Sequence, residues 1–202
     1  MTIRPLFVTQ LYDAMLDDAD LLAELEASVR GLAQDDGAGR RWCKAHGYRG
    51  YTSYASLNDL PQRDPAFADL KRVLDRHVAR FADACGFDLG GRKLKLDSLW
   101  ANLLRPGGHH GAHIHPHSVI SGTVYIVVPE GAGALKLEDP RLPMLMAAPP
   151  RRTDAPEALQ TFATVAPIAG TLLLWESWLR HEVTPHGGKG ERISVSFNYR
   201  WG

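Results

Sequence analysis

Five of the nine histidines in this chain fall in one run, His109-His110-Gly-Ala-His113-Ile-His115-Pro-His117. Imidazole suits zinc, copper, iron and nickel, and spacing decides whether several can act on one ion. On a β-strand, residues two apart share a face, so His113 and His115 project side by side as a chelating pair. Pro116 limits how far regular strand pairing continues. A facial site needs a third ligand from a second strand. His181, in Trp178-Leu179-Arg180-His181-Glu182-Val183, fits that role. His109 and His110 follow Pro106-Gly107-Gly108, His117 lies beyond the proline, and His186 sits among glycines, so these are less suited. His46 and His77 are isolated, and His77 borders the apolar face of a helix. A histidine-rich run is equally what a solvated loop would carry, because composition alone does not make a site.

The second chemical feature is the segment Arg192 to Arg200. Ile193, Val195, Phe197 and Tyr199 alternate with Arg192, Ser194, Ser196, Asn198 and Arg200. A half-buried strand with its polar face to water explains such a pattern. In a jelly roll covered by helices, the polar face points inward instead. Arg192 then forms a bidentate pair with a carboxylate, with the Ser194 hydroxyl beside it. A dicarboxylate co-substrate requires such an anchor. Asn102, placed on one strand face with Leu94, Leu96, Trp100 and Leu104, is a further inward polar group. Tyr125, sharing a face with Ser121, Thr123 and Val127, adds a phenol.

The elements that must hold these residues are short strands. Period-two segments run over Lys93–Leu104, His113–His115, Ile120–Val128, Ala134–Glu138, Phe162–Val165, Thr171–Trp175, His181–Thr184 and Arg192–Arg200, punctuated by Gly and Pro turns. That reads as a sandwich or jelly roll. Met144 to Pro156, with three prolines, reads as a loop over one end. Two amphipathic helices precede the strands. One follows Asp20, with Leu21, Leu22, Leu25, Val29 and Leu32 on one side, and stops at Gly37. The other starts at an Asp64 N-cap with Pro65 in its first turn, runs through Phe67, Leu70, Leu74, Val78 and Phe81, and stops at Gly86. Trp42 to Leu60, including Gly47-Tyr-Arg-Gly-Tyr-Thr-Ser-Tyr54, reads as a long surface segment. Long loops of this kind are often functional, and an ordinary packed aromatic loop reads the same way.

Zero formal net charge and the absence of a basic block argue against a sequence-independent nucleic-acid footprint. Apolar runs are too short for a membrane span, and the first residues carry no apolar signal core. Cys43 and Cys85 have no metal or redox spacing and read as reduced thiols of a cytoplasmic protein.

The motifs His113-Ile-His115-Pro-His117-Ser118, Ser121-Gly-Thr-Val-Tyr125, Asp139-Pro-Arg141, Trp178-Leu-Arg-His181 and Arg192-Ile-Ser-Val-Ser-Phe-Asn198 stand in this order over about half the chain. In that order they resemble the Fe(II)- and 2-oxoglutarate-dependent oxygenase superfamily, and more closely a bacterial family of 2-oxoglutarate/iron oxygenases. The resemblance implies a mainly β double-stranded β-helix (a jelly-roll, cupin-like barrel) with flanking N-terminal α-helices. It implies one domain over residues 1–202, with a helical extension over 1–91 and a catalytic core over 92–202. It makes His113 the first metal ligand, His181 the distal one, and Arg192 with Ser194 the co-substrate anchor; the strand alternation adds Tyr125, Asn102 and Asn198 as candidate pocket residues. The implied cofactor is Fe(II), with 2-oxoglutarate as co-substrate, O2 as oxidant and an unidentified small molecule or peptide as substrate. Self-association as a homodimer is left open. His115 stands where the superfamily carries a carboxylate. Either three histidines bind the metal, or Glu138, Asp139 or Glu176 supplies a carboxylate from another strand. Two other readings remain: a three-histidine cupin-type metalloenzyme that does not use 2-oxoglutarate, and a non-enzymatic metal or ligand sensor.

Overall fold

The computed structural model describes residues 2–141 and 145–202. Its core is two antiparallel sheets. The strands are β1 (Leu11–Met15), β2 (Gly50–Thr52), β3 (Lys95–Leu104), β4 (His110–His113), β5 (Ile120–Val127), β6 (Leu135–Glu138), β7 (Phe162–Val165), β8 (Thr171–Glu176), β9 (His181–Val183) and β10 (Arg192–Arg200). The larger sheet has the order β1-β8-β5-β10-β3-β2 and the smaller β4-β9-β6-β7. The last eight strands therefore wind between the two sheets, alternating except at the β6–β7 hairpin within the smaller one, as in a double-stranded β-helix. The sheets are hydrogen-bonded separately, so the jelly roll is not a closed barrel.

Three helices, α1 (Ala19–Asp35), α2 (Gly37–Ala45) and α3 (Pro65–Ala84), accompany the larger sheet. The Asp64 side chain accepts from Ala66 N, Pro65 opens α3, and Gly86 follows with φ +71°. The apolar positions of β10 pack beneath these helices. Ile193, Val195, Phe197 and Tyr199 are all fully buried in one cluster with Leu25, Phe67 and Leu74. Each such side chain contributes about 1.5–3 kcal/mol. The Tyr199 hydroxyl also donates to Asp75 of α3 at 2.6 Å. With that face covered, the polar face of β10 turns toward the smaller sheet.

The structure departs from several expectations. Helix α1 begins at Ala19, before Asp20 rather than after it, with the Asp18 side chain accepting from Leu21 N. α1 does end at Asp35, just before Gly37, but Gly37 also begins the unexpected helix α2, which Asp36 caps by accepting from Gly39 N. The segment 42–60 is not a surface loop. It holds the end of α2 and strand β2, and Tyr51, Thr52, Ser53 and Leu60 are buried. β2 pairs with β3, Gly50 opposite Leu104. A Cβ on Gly50 would lie 1.9 Å from the Leu103 carbonyl oxygen, so only glycine permits that approach. A register shift opposite Asn198 and Tyr199 pairs them with Ser98 and Leu96, skipping Asp97. That bulge moves Leu94 and Leu96 to the helical side, away from the face of Trp100 and Asn102. The expected loop from Met144 to Pro156 begins at a residue outside those described. From Met146 it consists of turns, bends and irregular chain, followed by the 3-10 turn Glu157–Leu159. Among the described residues, no helix is long and apolar enough to cross a membrane.

Candidate metal centre

β4 and β9 lie side by side in the smaller sheet, with His113 directly opposite His181. His115 lies beyond the end of β4, in extended chain whose N–H donates to Ser177 O at 3.0 Å. One nitrogen from each of His113, His115 and His181 lies within 4.8 Å of the other two. His115 Nε2 and His181 Nε2 are 3.2 Å apart. Two imidazole nitrogens bound at right angles to one ion at ~2.1 Å would be about 3.0 Å apart. His113 Nδ1 lies 2.7 Å from Gly111 O, and His181 Nδ1 lies 2.8 Å from Leu179 O. A carbonyl only accepts, so each Nδ1 carries the proton and each Nε2 keeps its lone pair free. Burial pushes the pKa of His181 down to about 3 and that of His115 down to about 4. Both rings are therefore neutral near pH 7, the form that binds metals. This donor set fits a divalent iron ion.

Among the described residues, no carboxylate joins this cluster. Glu138 accepts twice from Arg180 Nη1 at 3.1 Å, and Asp139 binds Arg141. Neither these two nor Glu176 lines the cavity that contains the histidines.

That cavity, of about 720 Å³, runs between the sheets along the polar face of β10. Arg192, Ser194, Ser196 and Asn198 all face it, as the alternation requires. Arg192 is only 2% exposed. Its Nη1 reaches Ser194 Oγ at 3.3 Å, its guanidinium lies 4.9 Å above the Tyr125 ring, and Nε meets no acceptor among the described residues. The Tyr125 hydroxyl and Trp175 Nε1, both in the cavity wall, are likewise without protein partners. Burial lowers the pKa of Arg192, but a guanidinium stays charged throughout the physiological range. A buried cation beside two unused donors is a site prepared for an anion.

Asn102 lies opposite Ser194 across β3 and β10, and its amide is committed. It accepts from Thr52 Oγ1 at 2.9 Å and donates to Ser196 Oγ at 3.1 Å. Asn198 accepts from Ser121 and donates to Ser98, so its amide is committed too. It also lies six residues along β10 from Arg192, about 20 Å at strand rise. The two residues therefore belong to opposite ends of the cavity.

Sequence reasoning missed several contributors. His110, set aside as part of a turn, lines the cavity, because a register shift between His110 and His113 brings both to the inner side. Burial, reinforced by the charge of Arg192, pushes its pKa down to about 3. Tyr48, Thr52 and Tyr54 reach the cavity from the N-terminal segment. The only signal for them was the aromatic Gly47–Tyr54 composition. Trp100 stands 6.0 Å from His115 and 5.2 Å from Tyr54, ring centre to ring centre. His46 stacks on Trp42, His77 bonds the Tyr12 hydroxyl, and buried His186 faces the Gly131 and Gly190 carbonyls, so all three lie outside the metal cluster.

A jelly roll thus carries, in one cavity, a three-nitrogen cluster suited to a metal ion and a buried arginine with no carboxylate partner among the described residues. Residues 98–198 match the family model described as 2OG-Fe(II) oxygenase. The chain belongs to that family, whose members are oxidoreductases using Fe(II) and 2-oxoglutarate. Its fold is similar to that of a prolyl-4-hydroxylase from Pseudomonas putida, with 20% identity, 95% of this chain and 93% of that one covered, and a TM-score of 0.62. It is also similar to the alpha ketoglutarate dependent epimerase SnoN from nogalamycin biosynthesis, at 17% identity, 95% and 78% coverage and a TM-score of 0.63. HygX from Streptomyces hygroscopicus, crystallised with nickel and 2-oxoglutarate, matches at 14% identity, 96% and 83% coverage and a TM-score of 0.62. At these identities the likeness is one of fold. No curated protein sequence matches the chain.

Proposed function

We propose that this protein oxidises a small-molecule or peptide substrate at one Fe(II) held by His113, His115 and His181, with 2-oxoglutarate anchored by Arg192. The observation that carries this is the buried guanidinium of Arg192, which has no carboxylate partner among the described residues. Arg192 holds the far carboxylate of 2-oxoglutarate, and Ser194 and the unused Tyr125 hydroxyl complete its hydrogen bonds. Asn102 holds Thr52 and Ser196 in place along the wall. Asn198, at the far end, lines the chamber for the primary substrate with Ser98, Trp100 and Tyr54. Three neutral imidazoles leave both charges of the ion uncompensated by protein, so an anionic co-substrate is favoured there electrostatically. Bound Fe(II) supplies the oxygen activation that couples decarboxylation of 2-oxoglutarate to attack on the substrate. For hydroxylation the balance is R–H + O2 + 2-oxoglutarate giving R–OH + succinate + CO2. Two indoles flank the cluster: Trp175 lies 4.7 Å from His181 and Trp100 6.0 Å from His115, ring centre to ring centre.

The test is succinate release from 2-oxoglutarate by purified protein with and without Fe(II), screened across candidate metabolites and peptides. Iron-dependent succinate is the expected result. Oxygen uptake without succinate would instead indicate a three-histidine cupin-type enzyme. Iron binding with neither activity would indicate a sensor.

A further inference from the structure

The inner end of the cavity holds a polar pair that the assignments above leave unused. Tyr48 lies between α2 and β2, and His110 is the first residue of β4. The Tyr48 hydroxyl is 2.8 Å from His110 Nε2, and the two rings stack with centres 5.7 Å apart. Both line the same cavity as Arg192, and the charge of Arg192 acts on both. The segment carrying Tyr48 is held by independent contacts. The Tyr51 hydroxyl donates to Asp36 at 2.9 Å, and Ser56 Oγ donates to the same oxygen at 2.5 Å. The Thr52 N–H donates to Cys43 Sγ, and β2 is paired with β3. The fold therefore delivers Tyr48 to this end of the cavity.

An ionised carboxylate has about four acceptor directions. Arg192 supplies a fork of donors, with Nη1 already shared with Ser194, and Tyr125 supplies one hydroxyl. Acceptor capacity remains, and leaving it unfilled in a buried site is costly. A neutral imidazole has one donor and one acceptor nitrogen. If Nε2 accepts, the phenol proton is spent on His110. If Nε2 carries the hydrogen and donates to the phenol oxygen, the phenol proton is free for another acceptor.

We propose that Tyr48 is a co-substrate-binding residue, donating its phenol proton to the carboxylate held by Arg192, and that His110 is the positioning residue that turns the phenol toward it. The pair extends the co-substrate assignment above and rests on it. An incoming dicarboxylate selects the tautomer with hydrogen on Nε2. A keto acid lacking the far carboxylate does not. The N-terminal segment thus takes part in choosing the co-substrate.

The test is equilibrium dialysis of 2-oxoglutarate and of 2-oxopentanoate, which has the same keto-acid end and no far carboxylate, against the Fe(II)-loaded protein without oxygen. The parent should prefer 2-oxoglutarate. Tyr48→Phe should weaken 2-oxoglutarate about tenfold, the loss of one charge-assisted hydrogen bond, and leave 2-oxopentanoate and the iron stoichiometry unchanged. His110→Leu should behave like Tyr48→Phe, whereas His110→Gln, which keeps an N–H donor, should recover most of the affinity. Unchanged 2-oxoglutarate binding in Tyr48→Phe overturns the proposal alone. Equal weakening of both keto acids also overturns it, because the pair would then be structural. A parent with no preference between them overturns the co-substrate assignment, and this proposal with it.

Discussion

Replacing Arg192 by methionine should stabilise the co-substrate-free protein while removing its response to 2-oxoglutarate. The side chain is 2% exposed, its Nε has no protein acceptor, and its one hydrogen bond to Ser194 is long at 3.3 Å. Exchanging buried charge for apolar side chains of similar volume stabilises by about 1–4 kcal/mol in measured cases. The lost cation–π contact with Tyr125 subtracts about 1–2 kcal/mol. The net is a gain on the order of 1 kcal/mol, or about 2–4 °C in Tm for a chain of this size. Binding moves the other way. Removing one partner of a buried charge pair costs about 2–5 kcal/mol, which weakens 2-oxoglutarate at least about thirtyfold. At one hundred times its Kd, the ligand stabilises the parent by about 2.7 kcal/mol; at that same concentration the variant should gain under about 1 kcal/mol. Anaerobic thermal unfolding of iron-loaded parent and variant, with and without 2-oxoglutarate, reads both effects. A variant that melts below the parent without co-substrate and still shifts like the parent with it would refute the reasoning.

Three further outcomes follow from the same contacts. His115→Asp should keep stoichiometric iron, because a carboxylate with two histidines is the commoner oxygen-activating set, whereas His115→Ala should lose it; retention of iron by the alanine variant in a metal assay would remove His115 from the site. His77 bonds Tyr12 across β1 and α3, and burial, then Arg80 and Arg76, lower its pKa. Its stabilising contribution is therefore full above the unfolded value of about 6.5 and is lost as pH falls through the lower folded value. The stability difference between the parent and His77→Gln, from urea unfolding, should narrow between about pH 7 and pH 5; a difference that widens on acidification would contradict this. His117 has φ +69° and is exposed, so His117→Val should cost about 1–2 kcal/mol, while His117→Gly should retain full iron; iron loss in the glycine variant would make His117 a ligand.

The pairing of His113, His115 and His181 in one cluster was legible because it depends on local strand periodicity. Arg192 to Arg200 alternates without interruption across its buried stretch, and the α3 helix announces both its ends. What was not legible depends on long-range pairing. β2 is three residues long and exists only because β3 offers an edge to it. The bulge at Asp97 reverses Leu94 and Leu96, and the register shift in β4 turns His110 inward. Neither leaves a mark in residue type, because a one-residue slip changes the face without changing the composition. Tyr48 was hidden for the same reason, as its role comes from contacts with His110, far away in sequence.

The most direct test of the central claim is a crystal structure of the protein grown without oxygen with Fe(II) and 2-oxoglutarate. It should show His113, His115 and His181 nitrogens each about 2.1 Å from iron and the far carboxylate of 2-oxoglutarate in a bidentate pair with Arg192. An Asp or Glu side chain on the iron in place of His115, or 2-oxoglutarate bound with Arg192 unpaired, would contradict it.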